Sequence, residues 1–106
     1  MQRSYWKWRM VGLSLLPAAI PAKAATIEIT VEKLAFNRAT VSAAVGDTIR
    51  WVNKDIMAHT ATADGSFDIV IPAHQSALTV LTKGGALDYY CRYHPNMRAR
   101  IDVKSK

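Results

Sequence analysis

The sequence has 106 residues, with 14 Lys and Arg against 8 Asp and Glu, so its formal net charge is +6. This length is enough for one small domain. Four of the basic residues and none of the acidic ones lie in residues 1–24, so the remainder carries a net charge of only +2. Because residues 25–106 contain no basic run, the composition argues against a nucleic-acid partner.

The first 24 residues have the layout of a secretory signal peptide. Three basic residues stand within the first nine positions, an apolar stretch runs from Met10 to Ile20, and Ala22 and Ala24 supply small residues two apart. We expect cleavage after Ala24. As a helix, the apolar stretch would rise only about 16 Å, which is about half of a 30 Å bilayer core. The pattern therefore predicts a signal peptide over 1–24, a periplasmic domain over 25–106, and no membrane attachment of the mature form.

The mature part alternates apolar and polar residues with a period of two. In the first such segment, Ile27, Ile29 and Val31 alternate with polar side chains, which indicates a strand with one buried face. The other segments with strand character are 41–45, 48–53, 67–71, 77–81, 87–91 and 101–103. Turn residues such as Asp64-Gly65 and Lys83-Gly84-Gly85 separate them. The sequence predicts seven to eight short strands in an all-β antiparallel sandwich or barrel.

Four side chains have the chemistry of a copper site. Cys91, His94 and Met97 follow one another at three-residue intervals, and a second imidazole, His59, lies upstream. A thiolate and two imidazoles in a plane with a weak axial thioether form a blue-copper electron-transfer site. We therefore predict His59, Cys91, His94 and Met97 as the ligands of one type 1 copper that cycles between Cu(I) and Cu(II).

Other interpretations of these residues remain open. The single cysteine excludes an internal disulfide. Zinc suits Cys and His but not Met, and structural zinc sites commonly use more cysteines than this chain has. Cys91 could instead be a catalytic nucleophile, although no substrate pocket is evident, and a periplasmic copper chaperone or storage protein would use similar donors. The third histidine, His74, lies in a predicted turn and is expected at the surface.

These residues resemble a known family. Asp88-Tyr89-Tyr90-Cys91, His94-Pro95 and Met97-Arg98 are similar to the ligand loop of cupredoxins of the amicyanin and pseudoazurin type, and the short Cys-x-x-His-x-x-Met spacing is most similar to amicyanin. Val45–Ile49 and Trp51–Asn53 resemble the strand pair that leads to the first ligand. The resemblance implies a Greek-key β-sandwich, with His59, Cys91 and His94 as equatorial ligands and Met97 as the axial one.

The same resemblance implies a monomeric electron carrier rather than an enzyme, with a donor dehydrogenase and an acceptor cytochrome c or oxidase as redox partners. In such proteins the second histidine reaches the surface through an apolar patch. Here that residue would be His94, with Pro95, Met57 and Ala58 as patch members.

One residue near the ligands departs from the family pattern, and a group of three arginines has two interpretations. Thr60 stands where the family usually has an Asn that bridges the two ligand loops, and its hydroxyl and backbone N–H could replace that amide. Arg92, Arg98 and Arg100 surround the ligand loop in sequence. They are either ordinary solvated charges or a positive rim that steers an acidic partner.

Overall fold

The structure, a computed structural model, describes residues 23–105, so the predicted signal peptide lies outside the described residues except for Lys23 and Ala24. Nine strands make up this part of the chain. They are β1 Thr26–Glu32, β2 Ala35–Phe36, β3 Thr40–Ala44, β4 Thr48–Asn53, β5 His59–Ala63, β6 Phe67–Ile71, β7 Ser76–Val80, β8 Gly85–Tyr90 and β9 Arg98–Lys104. Between residues 23 and 105, no helix is long and apolar enough to cross a membrane.

The strands form two sheets whose order differs from the order in sequence. One sheet has the order β2-β1-β4-β7 and the other β3-β9-β8-β5-β6. The predicted all-β sandwich is confirmed, but its sheets are mixed, because β1 pairs with β4 and β3 pairs with β9 in parallel. The expectation of an antiparallel arrangement is therefore wrong for these two strand pairs. Parallel neighbours need a crossover connection, and the alternation of side chains shows only which face of a strand is buried.

The core between the sheets is built on aromatic side chains. Trp51 from β4 and Tyr89 from β8 are at most 1% exposed, and their rings meet edge to face at 5.2 Å between centroids. Phe36 packs against Tyr89 at 4.7 Å. The indole N–H of Trp51 donates to the Thr79 hydroxyl across 2.9 Å, which satisfies a polar group that burial would otherwise leave unpaired.

Two of the nine strands were not expected from the sequence. β2 has only two residues. β5 reads His-Thr-Ala-Thr-Ala and lacks the alternation of a half-buried strand, since all five of its residues are buried. It lies between β8 and β6, and the hydroxyls of Thr60 and Thr62 hydrogen-bond to each other at 3.0 Å. Polar side chains that satisfy one another can occupy a buried strand, so apolar periodicity does not reveal it.

Candidate metal centre

Three of the four predicted ligands converge on one point. The donor atoms of His59, Cys91 and His94 all lie within 4.8 Å of one another. Cys91 Sγ lies 3.8 Å from Nδ1 of His59. Both of these side chains are fully buried, whereas His94 is partly exposed. A single ion between them would be covered on the protein side and reachable through one imidazole.

The sheet brings the two distant parts of this cluster together. His59 is the first residue of β5, and Cys91 directly follows the last residue of β8. These strands are antiparallel neighbours, with Thr62 opposite Tyr90. The beginning of one strand therefore lies beside the end of the other. His59 thus lies at the end of a strand next to the one that leads to Cys91, and its role as a ligand stays a prediction.

The segment between Cys91 and Met97 is wound into tight turns. The N–H of His94 donates to the carbonyl of Cys91 at 3.2 Å, and the N–H of Met97 donates to that of His94 at 2.8 Å. The N–H of Cys91 then donates to the carbonyl of Met97 at 3.0 Å, which closes the loop. Met97 is only 4% exposed. The loop thus brings Met97 back beside Cys91. The role of Met97 as the axial ligand stays a prediction.

The histidine ring nitrogens test whether the cluster suits a metal. Nδ1 of His94 is buried and has no hydrogen-bond partner among the described residues. Nε2 of His59 is held by Asp55 at 2.7 Å, so Nδ1 is the nitrogen that faces Cys91. An unpartnered buried nitrogen is costly unless something else binds it. One thiol sulfur and two ring nitrogens are donors that copper prefers, so the residues present fit a copper ion.

The surroundings of Cys91 favour its thiolate. Burial raises the pKa of this thiol, but the N–H of Thr60, the rings of His59 and His94 and the N–H of Tyr93 together lower the pKa to about 6. The Thr60 contact is a hydrogen bond of 3.3 Å to Sγ. Because the thiolate is the form that binds metal, this site is prepared for a cation at neutral pH.

Asp55 is a residue of the site that sequence reasoning missed. Its carboxylate lies in the loop between β4 and β5, is 14% exposed, and accepts from His59 and from the backbone N–H groups of Lys33 and Leu34. Burial opposes its ionisation, but these hydrogen bonds outweigh burial and hold the pKa of Asp55 below its usual value. The only signal in the sequence is a carboxylate four residues before a histidine, which is too common to identify a contact.

Asn53 shapes the loop that carries Asp55. It is 2% exposed, and its side-chain amide donates to the carbonyls of Met57 at 2.9 Å and Ile71 at 3.0 Å. Its side-chain oxygen accepts from the N–H of Asp55 at 2.9 Å. One buried amide therefore ties the loop to the end of β6 and orients Asp55 toward His59.

Thr60 bridges the two loops of the site as its position predicted. Its backbone N–H donates to Cys91 Sγ, and its hydroxyl accepts from the N–H of Arg92 at 2.8 Å. The hydroxyl chain continues through Thr62 to the carboxylate of Asp68 at 2.7 Å. A single threonine thus contacts both the sulfur and the backbone that follows it.

A shallow apolar depression of about 380 Å³ covers the exposed side of the cluster. It is lined by Leu34, Tyr93, His94, Pro95, Asn96 and Met97. Leu34 and Tyr93 are about half exposed, and Met57, in the loop before His59, is 42% exposed. Of the expected patch members, Pro95 lines the depression with His94, whereas Met57 and Ala58 do not line it. Leu34 was not expected there, because it lies 60 residues away in sequence.

The arginines near the ligand loop are largely engaged. Nε of Arg92 lies 3.0 Å from Asp68, and Nε of Arg100 lies 2.9 Å from Asp88. The guanidinium of Arg98 lies over the ring of Tyr90, 5.5 Å from its centroid. Two of the three charges are thus balanced locally, which weakens the interpretation as a positive rim.

The third histidine lies apart from the cluster. His74 is exposed in the turn between β6 and β7, with a φ of 58°, and its N–H donates to the carbonyl of Asp55 at 3.3 Å. Its predicted surface position is confirmed.

Comparisons with individual known proteins and solved structures find similarity to amicyanin and to a methylamine utilization protein. No protein-family model matches the chain. Amicyanin from Paracoccus versutus is 28% identical over 94 residues, which cover 82% of this chain and 70% of that protein. The methylamine utilization protein MauL from Methylorubrum extorquens is 29% identical over 101 residues, covering 91% and 89%. The crystal structure of Paracoccus versutus amicyanin superposes with a TM-score of 0.65 at 28% identity, covering 82% of this chain and 87% of that one.

Proposed function

Because the chain is an amicyanin-like cupredoxin, we propose that it is a soluble periplasmic electron carrier with one mononuclear type 1 copper. In this proposal His59, Cys91 and His94 are the equatorial ligands and Met97 is the axial ligand. Bound there, copper supplies a one-electron Cu(I)/Cu(II) couple. The chain itself acts as a carrier and not as an enzyme.

One observation carries the proposal more than any other. Nδ1 of His94 is buried without a hydrogen-bond partner in the part of the chain that the structure describes. It belongs to the cluster in which all donor atoms lie within 4.8 Å of one another. A satisfied core histidine would have a protein partner for this nitrogen, so its position supports a metal bound by these three donors.

The residues around the ligands support electron transfer rather than metal delivery. Hydrogen bonds fix the Cys91–Met97 loop at both ends, and Asp55 and Thr60 hold the other two sides of the cluster. A site held this firmly changes little between oxidation states, which keeps the reorganisation on electron transfer small. Electrons would cross at His94, whose ring lines the apolar depression.

The partners follow from the same surface. We propose a donor dehydrogenase and an acceptor cytochrome c or oxidase, each docking briefly on the depression. The related MauL protein is named for methylamine utilization, which makes a dehydrogenase of that pathway the first donor to assay. Weak redox encounters use small interfaces, and we propose that the carrier itself is a monomer.

The first experiment is a titration of residues 25–106 with Cu(II), followed by visible absorption. We expect an intense blue band that ascorbate bleaches and reoxidation restores. Cys91→Ala should abolish it, whereas His74→Ala, which removes an exposed histidine outside the cluster, should leave it unchanged. A colourless wild-type protein, or a Cys91→Ala protein that stays blue, would contradict the ligand assignment.

The copper chaperone or storage alternative makes a different prediction for the same samples. A delivery site gives up its metal quickly, so a Cu(I) chelator would strip the reduced protein within its mixing time. For a carrier we expect slow loss and a reversible potential over many cycles. Rapid stripping would favour the chaperone.

The axial assignment has its own variant. Met97→Ala should keep copper and the blue colour, because the three equatorial donors remain, but should change the spectrum and the potential. The measurement is spectroelectrochemistry beside wild type. An unchanged potential and spectrum would remove Met97 from the ligand set.

The location can be tested by expressing residues 1–106 in a Gram-negative host and fractionating the cells. We expect the protein in the periplasmic fraction with Ala25 as its first residue. Protein retained in the cytoplasm with Met1 intact would contradict both the signal peptide over 1–24 and the proposed compartment.

A further inference from the structure

The Asp55 carboxylate makes three contacts with two separate parts of the molecule. One oxygen accepts from the N–H of Lys33 at 2.8 Å. The other accepts from the N–H of Leu34 at 3.2 Å and lies 2.7 Å from Nε2 of His59. The side chain is only 14% exposed; its contact with His59 is partly buried, whereas those with Lys33 and Leu34 lie at the surface.

The contact with His59 fixes which nitrogen carries the proton. A carboxylate accepts, so Nε2 donates to Asp55, and in a neutral ring Nδ1 then keeps its lone pair for a metal. That lone pair lies on the side of Cys91 Sγ, 3.8 Å away. A carboxylate that accepts from a metal-bound imidazole also makes the ring a stronger donor. A stronger nitrogen donor favours Cu(II), the harder of the two ions, over Cu(I).

The contacts with the β1–β2 turn stabilise an unfavourable backbone conformation. Lys33 and Leu34 have φ values of 55° and 61°, in the left-handed region that residues with a Cβ seldom adopt. Asp55 captures the N–H groups of both. This turn places Leu34 in the wall of the depression beside His94 and Pro95.

We propose that Asp55 is a positioning residue that joins the first copper ligand to the docking surface. Through His59 it favours oxidised copper and lowers the reduction potential. Through Lys33 and Leu34 it fixes one wall of the depression over His94. The proposal rests on the proposed copper function, since it assigns a role toward that metal.

The charge of Asp55 can be separated from its shape with Asp55→Asn. The amide oxygen can still accept from His59, but it brings no negative charge, and its NH₂ group cannot accept from Lys33. The matched control is Asp88→Asn, which removes one exposed carboxylate paired with Arg100 and distant in sequence from Asp55. Both variants change the net charge by the same amount.

We would load wild type and both variants with copper and measure the potential by spectroelectrochemistry. For Asp55→Asn we expect the ratio of Cu(II) to Cu(I) affinity to fall about tenfold, which raises the potential by about 59 mV for one electron. Asp88→Asn should stay close to wild type. An unshifted potential in Asp55→Asn, or an equal shift in both variants, would overturn the role of Asp55. A wild type without a blue band would instead refute the copper function on which it rests.

Two further measurements do not depend on a potential. Amide hydrogen exchange at Lys33 and Leu34 should be faster in Asp55→Asn than in wild type, and unchanged rates would remove the link to the turn. In metal-free wild type at alkaline pH, the ¹⁵N shifts of His59 should show a proton on Nε2 and none on Nδ1. The opposite tautomer would overturn the proposal even if Asp55→Asn failed to fold.

Discussion

At the scale of single residues, the site depends on a few buried or partly buried hydrogen bonds to charged or polarisable atoms. The sulfur of Cys91 receives the N–H of Thr60, His59 is held by Asp55, and the backbone after Cys91 donates to the Thr60 hydroxyl. Each group would be costly to bury alone. Together they place Cys91 Sγ beside Nδ1 of His59, while Nδ1 of His94 has no hydrogen-bond partner among residues 23–105.

The pKa of Cys91 predicts how the stability of the metal-free protein depends on pH. The folded-state pKa of about 6 lies below the ordinary value of 9.0. The contribution of this thiolate is fully present above pH 9.0 and is lost as the pH falls toward 6, because only the unfolded chain takes up a proton in that window. We expect thermal unfolding of metal-free wild type to shift to lower temperature across this range more than that of Cys91→Ala. Parallel curves for the two proteins would contradict the lowered pKa.

We predict that the Thr60 hydroxyl contributes to the free energy of unfolding, and a matched pair of variants can measure this contribution. Thr60→Ala removes the hydroxyl that accepts from the N–H of Arg92 and pairs with Thr62. We expect the free energy of unfolding to fall by about 1–3 kcal/mol, the cost of leaving a buried partner unsatisfied. Thr60→Ser keeps the hydroxyl and should lose less. Urea unfolding of the metal-free proteins gives the comparison, and equal losses for the two variants would argue against the hydrogen bond.

At the scale of elements, β5 connects the metal site with the far end of the sandwich. It begins at His59 and ends at Ala63, where the Asp64-Gly65 turn leads into β6. Gly65 has a φ of 77°, and a Cβ added there would meet no atom within 4 Å. The turn needs glycine for its backbone conformation rather than for space.

Gly65→Ala should therefore cost stability without disturbing the site. We expect unfolding to require about 1–2 kcal/mol less, which is the strain of an L-residue in the left-handed region. The blue band of the copper form should be unchanged, because the turn lies at the opposite end of β5 from His59. Ser66→Ala, one residue on, is the control and should change stability by less than about 0.5 kcal/mol. A stable Gly65→Ala protein with an altered spectrum would contradict both statements.

At the scale of the whole molecule, the two sheets depend on one aromatic core. Trp51 comes from the smaller sheet and Tyr89 from the larger one, and each contacts Phe36 as well as the other. A domain of this size buries only a modest share of its surface. Each large buried side chain therefore contributes a large part of the stability of the domain. Copper would add to the stability to the extent that it binds the folded form more tightly than the unfolded chain.

Trp51→Ala should consequently remove much of the stability of the metal-free protein. We expect a loss of about 3–5 kcal/mol, out of a total that rarely exceeds about 15 kcal/mol for a native domain. Leu78→Ala, in the same sheet but 60% exposed, should change it by less than about 0.5 kcal/mol. Chemical denaturation with and without copper measures both. Similar losses for the two variants would contradict the assignment of the core.

The sequence by itself indicated seven of the nine strands between residues 23 and 105, and it suggested the proposed donor set. Ile27, Ile29 and Val31 show which face of β1 is buried because side chains alternate along any strand. Cys91, His94 and Met97 indicate copper because their donor chemistry and spacing lie within seven residues of one loop. Both are local properties, readable without knowledge of neighbouring strands.

Only the tertiary structure decided the pairings and the contacts that cross them. The parallel alignment of β1 with β4 and the burial of all five β5 residues depend on which strands become neighbours, and alternation leaves that open. Asp55 reaches His59 because Asn53 binds carbonyls near the end of β6, and it also holds Leu34, 21 residues earlier. These contacts join segments distant in the chain, and their free energy appears only when the sheets have formed.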